Sequence, residues 1–170
     1  MKRITLLFAT ILFIGLSVQI GFAQDTKEKN KQLLIGITEF LEEKPFDEKA
    51  ESARKNAFTF VAQTKDVSVV MCTDLTKDAL KKKNKYGGEL LIQYSLGMAA
   101  YKLENPDKKD ENAAQLAGLE SMLKSYEAMV AEKPDAKFQA MDELITKRDN
   151  GELKTLIDTA GCGKSKKNKK

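Results

Sequence analysis

Residues 90–101, Leu-Leu-Ile-Gln-Tyr-Ser-Leu-Gly-Met-Ala-Ala-Tyr, contain no charged side chain, in a chain where Asp, Glu, Lys and Arg make up 32% of residues. A stretch like this has to be buried. Read as a helix, it puts Leu90, Tyr94, Gly97 and Tyr101 on one face and Leu91, Met98 and Ala99 on the adjoining one, so it must be covered from several sides. Gly97 in mid-helix costs about 1 kcal/mol relative to alanine, a loss most easily tolerated where a second helix backbone crosses closely. The spacing predicts an all-α single domain, about six to seven helices in antiparallel hairpins, with this segment at its centre.

The two ends of the chain belong to other classes. Lys2 and Arg3, the apolar run Thr5 to Ile20 and the small residues of Gly21-Phe22-Ala23 have the order of a secretory signal peptide over residues 1–23, cut after Ala23. No cysteine follows the run, so neither a lipid nor a stable membrane anchor is expected after cleavage. Export to the periplasm or the cell exterior is the expectation. Residues 164–170 are lysine-rich and without an apolar side chain, as in a disordered tail. Of the 29 Lys and Arg, two leave with residues 1–23 and five lie in 164–170, so residues 24–163 carry 22 basic against 25 acidic groups. The basic balance belongs to the tail and gives no reason to expect specific nucleic-acid binding, although the tail itself could attach to anionic surfaces.

Between the ends, the helical domain of residues 24–163 is punctuated by turn signals. Leu33, Leu34, Ile37, Phe40 and Leu41 mark a helix over 26–44, stopped before Pro45. Asp47 is placed to cap a second helix reaching Lys65, with Ala50, Ala53, Ala57, Phe60 and Val61 on one face and Phe58 beside it. Residues 66–72, Asp-Val-Ser-Val-Val-Met-Cys, have strand-like β-branched side chains but no partner strand. They are read as the buried start of a helix continuing through Leu75, Ala79 and Leu80, with Gly87-Gly88 breaking the chain afterwards. The longest helix is expected over 110–133, with Leu116, Leu119, Leu123, Tyr126 and Val130 as its seam and Ala113, Ala117 and Gly118 allowing close approach. Phe138, Met141, Leu144 and Ile145 define another, ended by Asn150-Gly151, and Leu153, Leu156 and Ile157 a last one, ended by Gly161.

The three prolines share a context. Leu33, Ile37, Phe40 and Glu43 precede Pro45; Tyr94, Met98, Tyr101 and Glu104 precede Pro106; Met122, Tyr126, Met129 and Glu132 precede Pro134. The pattern resembles the second helix and terminating proline of tetratricopeptide-type hairpins. The first-helix signature of that family, with its tryptophan, Leu-Gly pair and tyrosine, is not present. Over residues 26–150 the resemblance implies a stack of helical hairpins that binds peptides or partner proteins, and it carries over no catalytic residue.

The chain has no histidine, which removes Ser-His-Asp and Cys-His catalysis and histidine-ligated metal together, and two cysteines cannot build an all-thiolate zinc site. Gly161-Cys162-Gly163-Lys164-Ser165 looks like the end of a phosphate loop, but Asp158 stands where the first glycine belongs and no strand precedes it. The adjacent carboxylates Glu42-Glu43, Asp47-Glu48, Asp110-Glu111 and Asp142-Glu143 point about 100° apart on a helix and do not converge on one atom. No catalytic residue, cofactor or metal site is assigned. Export permits a disulfide between Cys72 and Cys162, the alternative being a buried thiol at Cys72 and an exposed one at Cys162. The leading expectation is an exported, non-enzymatic helical scaffold that binds a protein or peptide. The alternative is a bundle holding an apolar ligand in a groove of Tyr94, Met98, Tyr101, Met122, Tyr126 and Met129.

Overall fold

The computed structural model describes residues 17–162, and its regular structure there is helical throughout, with no strand among the described residues. Among the described residues seven α-helices follow in order: α1 Ser17–Glu43, α2 Ala50–Gln63, α3 Thr73–Thr76, α4 Gly87–Glu104, α5 Glu111–Glu132, α6 Gln139–Asp149 and α7 Leu153–Ala160. A single 3-10 turn, Pro134–Ala136, joins α5 to α6. The signal-peptide assignment falls outside the described residues as far as residue 16, and the lysine tail of 164–170 lies outside them altogether. Helix α1 runs through the expected cleavage point after Ala23. No helix among the described residues is long and apolar enough to cross a membrane.

The chain divides between Leu33 and Leu34 into two compact units. In the first, Glu28 accepts hydrogen bonds from Gln32 one turn on, at 2.8 Å, and from Lys31, at 3.4 Å, which supports the helix from its exposed side. The second unit contains the core and everything described below.

Helix α4 explains the uncharged stretch. Every residue from Gln93 to Ala100 is buried, because the helix serves two apolar clusters at once. Leu90, Tyr94 and Met98 join Leu119, Met122, Leu123, Tyr126 and Met129 of α5, Met141 and Leu144 of α6, and Leu153 and Ile157 of α7. Leu96 and Ala99, on its other side, meet Leu34 and Leu41 of α1 and Ala50, Ala57 and Val61 of α2. A helix with a core on each side has no face left for charge.

Helices α4 and α5 form the tightest pair. Gln93 meets Ser121, Gly97 meets Ala117, and Lys102 meets Glu111; one index rises as the other falls, so the pair is an antiparallel hairpin. A Cβ on Gly97 would lie 2.5 Å from the Ser121 Cβ, and one on Gly118 would lie 2.7 Å from the Tyr94 carbonyl oxygen. Two glycines thus let the backbones approach in register. Each costs about 1 kcal/mol in helix propensity, while each large side chain whose burial the approach allows contributes about 1.5 to 3. Packing wins.

Local chemistry sets the helix ends. The Asp110 carboxylate accepts from the Ala113 amide at 3.1 Å and caps α5. Asp47 accepts from the Lys49 amide at 2.9 Å in the turn before α2. Gly161, at φ 66°, closes α7 in the left-handed conformation that glycine tolerates best.

Two expectations need correction. Residues 66–72 are not the start of a helix but an extended strap, Val67 and Cys72 inward, Val70 and Met71 exposed. The strap is extended because its backbone acceptors are met by side chains from other helices: Lys102 Nζ donates to the Ser68 carbonyl at 2.8 Å and Gln115 Nε2 to the Val70 carbonyl at 2.9 Å. These donors satisfy carbonyls that a helix or sheet ladder would otherwise satisfy. The helix after it is also shorter than expected, only Thr73–Thr76, before turns lead to α4. Second, Gly87-Gly88 does not break the chain; it is the first turn of α4. A Cβ at Gly87 would sit 2.4 Å from the Ala79 carbonyl oxygen, so glycine is there for close approach.

Candidate functional site

Most of the polar groups singled out in the sequence have structural partners. Glu42 pairs with Lys124 at 3.1 Å and Glu111 with Lys102 at 2.7 Å; Asp110 and Asp47 serve the turns already described. Asp142 accepts from the Tyr126 hydroxyl at 2.7 Å, and that hydroxyl in turn accepts from the Phe138 amide at 2.8 Å. Each adjacent carboxylate pair therefore has a member engaged in holding the fold. No group of three or more Cys, Asp or Glu side chains that could hold a metal ion occurs among the described residues.

Of the six residues considered as an apolar groove, Tyr94, Met98, Met122 and Met129 are 0% exposed and Tyr126 is 1%. They pack in one cluster and form the core, so an open groove does not run along them. The Tyr94 hydroxyl donates to the Gln115 Oε1, and burial pushes its pKa far above the ordinary tyrosine value. Tyr101 is half-buried and lines a small cleft of about 200 Å³ that also takes in Glu104, Glu120 and Lys124.

Cys72 and Cys162 are joined by a disulfide with a Cα–Cα separation of 5.6 Å. The bond fastens the residue before α3 to the residue after the Gly161 cap of α7. Cys162 thus takes part in a structural bond, and the rest of the phosphate-loop look-alike, residues 163–165, lies outside the described residues.

A larger cleft lies elsewhere. It has a volume of about 770 Å³ and is bordered by the α1–α2 turn, by α2 from Ala50 to Thr59 and by the start of α4. Phe46, Phe58, Tyr86 and Ile92 supply its apolar surface. The Phe46 and Tyr86 rings pack at 4.9 Å between centroids, tilted by 59°, and Lys133, just after α5, places its ammonium 3.6 Å from the Phe46 ring centre.

Arg54 lines this cleft and is only 8% exposed. Its position follows from helix geometry: Ala50, Arg54, Ala57 and Val61 are the buried residues of α2, at steps of four, three and four. A guanidinium thus occupies a place where the pattern calls for a small apolar group. One amino group donates to the Pro45 carbonyl at 3.1 Å, while Nε has no partner. Among the described residues no carboxylate lies within ion-pair distance; burial lowers its pKa, and Glu89 and Glu51, which also line the cleft, pull it back up from farther away. A buried donor left unpaired typically costs about 1 to 3 kcal/mol, and more when charged. The sequence reading passed over Arg54, though its signal was present: a lone arginine in register with the alanines of α2.

Comparison with family models, with curated proteins and with solved structures finds no match to this chain.

Proposed function

We propose that the protein is an exported, non-enzymatic binding module whose helical hairpins, similar to those of tetratricopeptide proteins, take up a peptide or protein partner. The observation that carries this reading is the cleft beside Arg54, where the exposed Phe58 ring, the half-buried rings of Phe46 and Tyr86 and a charge without an ion pair among the described residues share one recess. Recesses of a few hundred to a thousand cubic ångströms, mostly apolar with a few polar groups, are the usual form of a binding site. The disulfide between Cys72 and Cys162 supports the export half of the reading, since such bonds persist in oxidising compartments.

The test is a random-peptide array probed with the purified protein. Saturable binding to a sequence-restricted subset, competed by the same peptides in solution, is the expected result. Uniform or absent binding across the array would remove the proposal.

A further inference from the structure

We propose that the cleft beside Arg54 holds the carboxyl end of a peptide, the terminal carboxylate on the guanidinium and an apolar last side chain against Phe46, Phe58 and Tyr86. This rests on the reading of the protein as a peptide-binding module and specifies which part of the peptide it recognises.

Three independent features converge here. Arg54 is nine-tenths buried and lines the recess; its Nε lies beneath the surface without a partner, and among the described residues no carboxylate is at ion-pair distance from its guanidinium. Arginine presents its donors as a planar fork that matches the two oxygens of a carboxylate, and a charge-assisted bidentate pair is the strongest arrangement open to it. The aromatic surface next to it is already ordered: Phe46 packs tilted against Tyr86 with the Lys133 ammonium over its ring, so an incoming apolar group meets the exposed Phe58 and the free edges of rings held in place. Finally, the carboxylates Asp47, Glu48, Glu51 and Glu89 line the same recess, against Arg54, Lys55 and Lys133. They disfavour a multiply charged anion such as a phosphate, whereas a singly charged carboxylate leaves the amide groups behind it free to face them. The ligand chemistry is a carboxylate joined to an apolar group, which a free fatty acid shares, and the experiment separates the two sources.

Fluorescence anisotropy of the full protein is measured with a short dye-labelled peptide ending in leucine, with its C-terminally amidated twin, and with decanoate as competitor. The expected result is binding of the free-carboxylate peptide, weakened roughly ten- to a hundredfold by amidation, with little competition from decanoate. Arg54→Lys keeps the charge but not the fork and is expected to remove most of that discrimination, with thermal unfolding recorded alongside; because the amidation comparison uses the unaltered protein, it stands even if the variant folds poorly. Equal binding of both peptides would overturn the carboxylate assignment while leaving peptide binding intact. Discrimination unchanged in a folded Arg54→Lys variant would move the site elsewhere and overturn the proposal. Decanoate binding without either peptide, or binding of none of the three, would overturn the proposal, while the function it rests on stands or falls with the peptide array.

Discussion

A Cβ at Gly118 would meet the backbone oxygen of Tyr94 at 2.7 Å, and neither atom can swing aside as a flexible side-chain end could. Gly118→Ala gains about 1 kcal/mol of helix propensity but forces α4 and α5 apart, and overpacking of this kind costs about 1 to 3 kcal/mol. The expected outcome in urea unfolding is a lower midpoint for Gly118→Ala, and the same for Gly97→Ala. Gly36 of α1 meets nothing within 4 Å, so Gly36→Ala should raise the midpoint. If all three substitutions stabilised the protein, the close crossing would be wrong. Tyr126 offers a second test at this scale. Burial pushes its pKa up to about 12, so the folded chain holds the phenolic proton more tightly than the unfolded chain, where the value is about 10. Its contribution to stability is therefore complete below about pH 10 and is lost as pH rises toward about 12. Phenolate absorbance from the four tyrosines should accordingly be incomplete while far-ultraviolet circular dichroism still reports the folded helices. Complete ionisation near pH 10 with helicity intact would contradict the buried hydroxyl.

At the level of elements, how well the sequence predicted each part depended on how far away its partners lie. Helices α1, α2, α4, α5, α6 and α7 declare themselves through apolar spacing and stop signals, because helix hydrogen bonds and caps are local. The strap of residues 66–72 does not, since its acceptors are served by Lys102 and Gln115, which are 34 and 45 residues away. No local rule connects Val70 to Gln115. Gly87 misled for a related reason: a glycine needed for approach to Ala79 looks in the sequence like one needed for a turn. Arg54 was legible in position but not in meaning, because a charge at a helical core step signals a site only once its missing partner is seen. The disulfide anchors this same strap. Replacing both cysteines with serine removes a link spanning 90 residues, which by loop-closure entropy should cost roughly 4 to 5 kcal/mol. The double variant should also show faster amide exchange in α7 than in α5, since α7 is short and the bond holds its end. Equal melting temperatures for oxidised and reduced protein would show that the bond does not stabilise the fold.

For the whole molecule, one helix whose middle has no charged face organises two cores, and the charged residues are left to its two ends, the other helices and the surface. The all-α architecture was readable for this reason: a segment that tolerates no exposure fixes where its neighbours must be. What the pattern left open was whether Cys72 and Cys162 are bonded. The Cys72–Cys162 bond closes a ring that encloses α3 to α7 and leaves α1 and α2 outside it. Pulled from its two ends, such a chain yields α1 and α2 to the force, while the residues inside the ring are shielded from it and add nothing to the stretched length. Adding a reductant during the pull should release a further extension on the order of 300 Å, and a molecule that reached its full extension while still oxidised would have no ring.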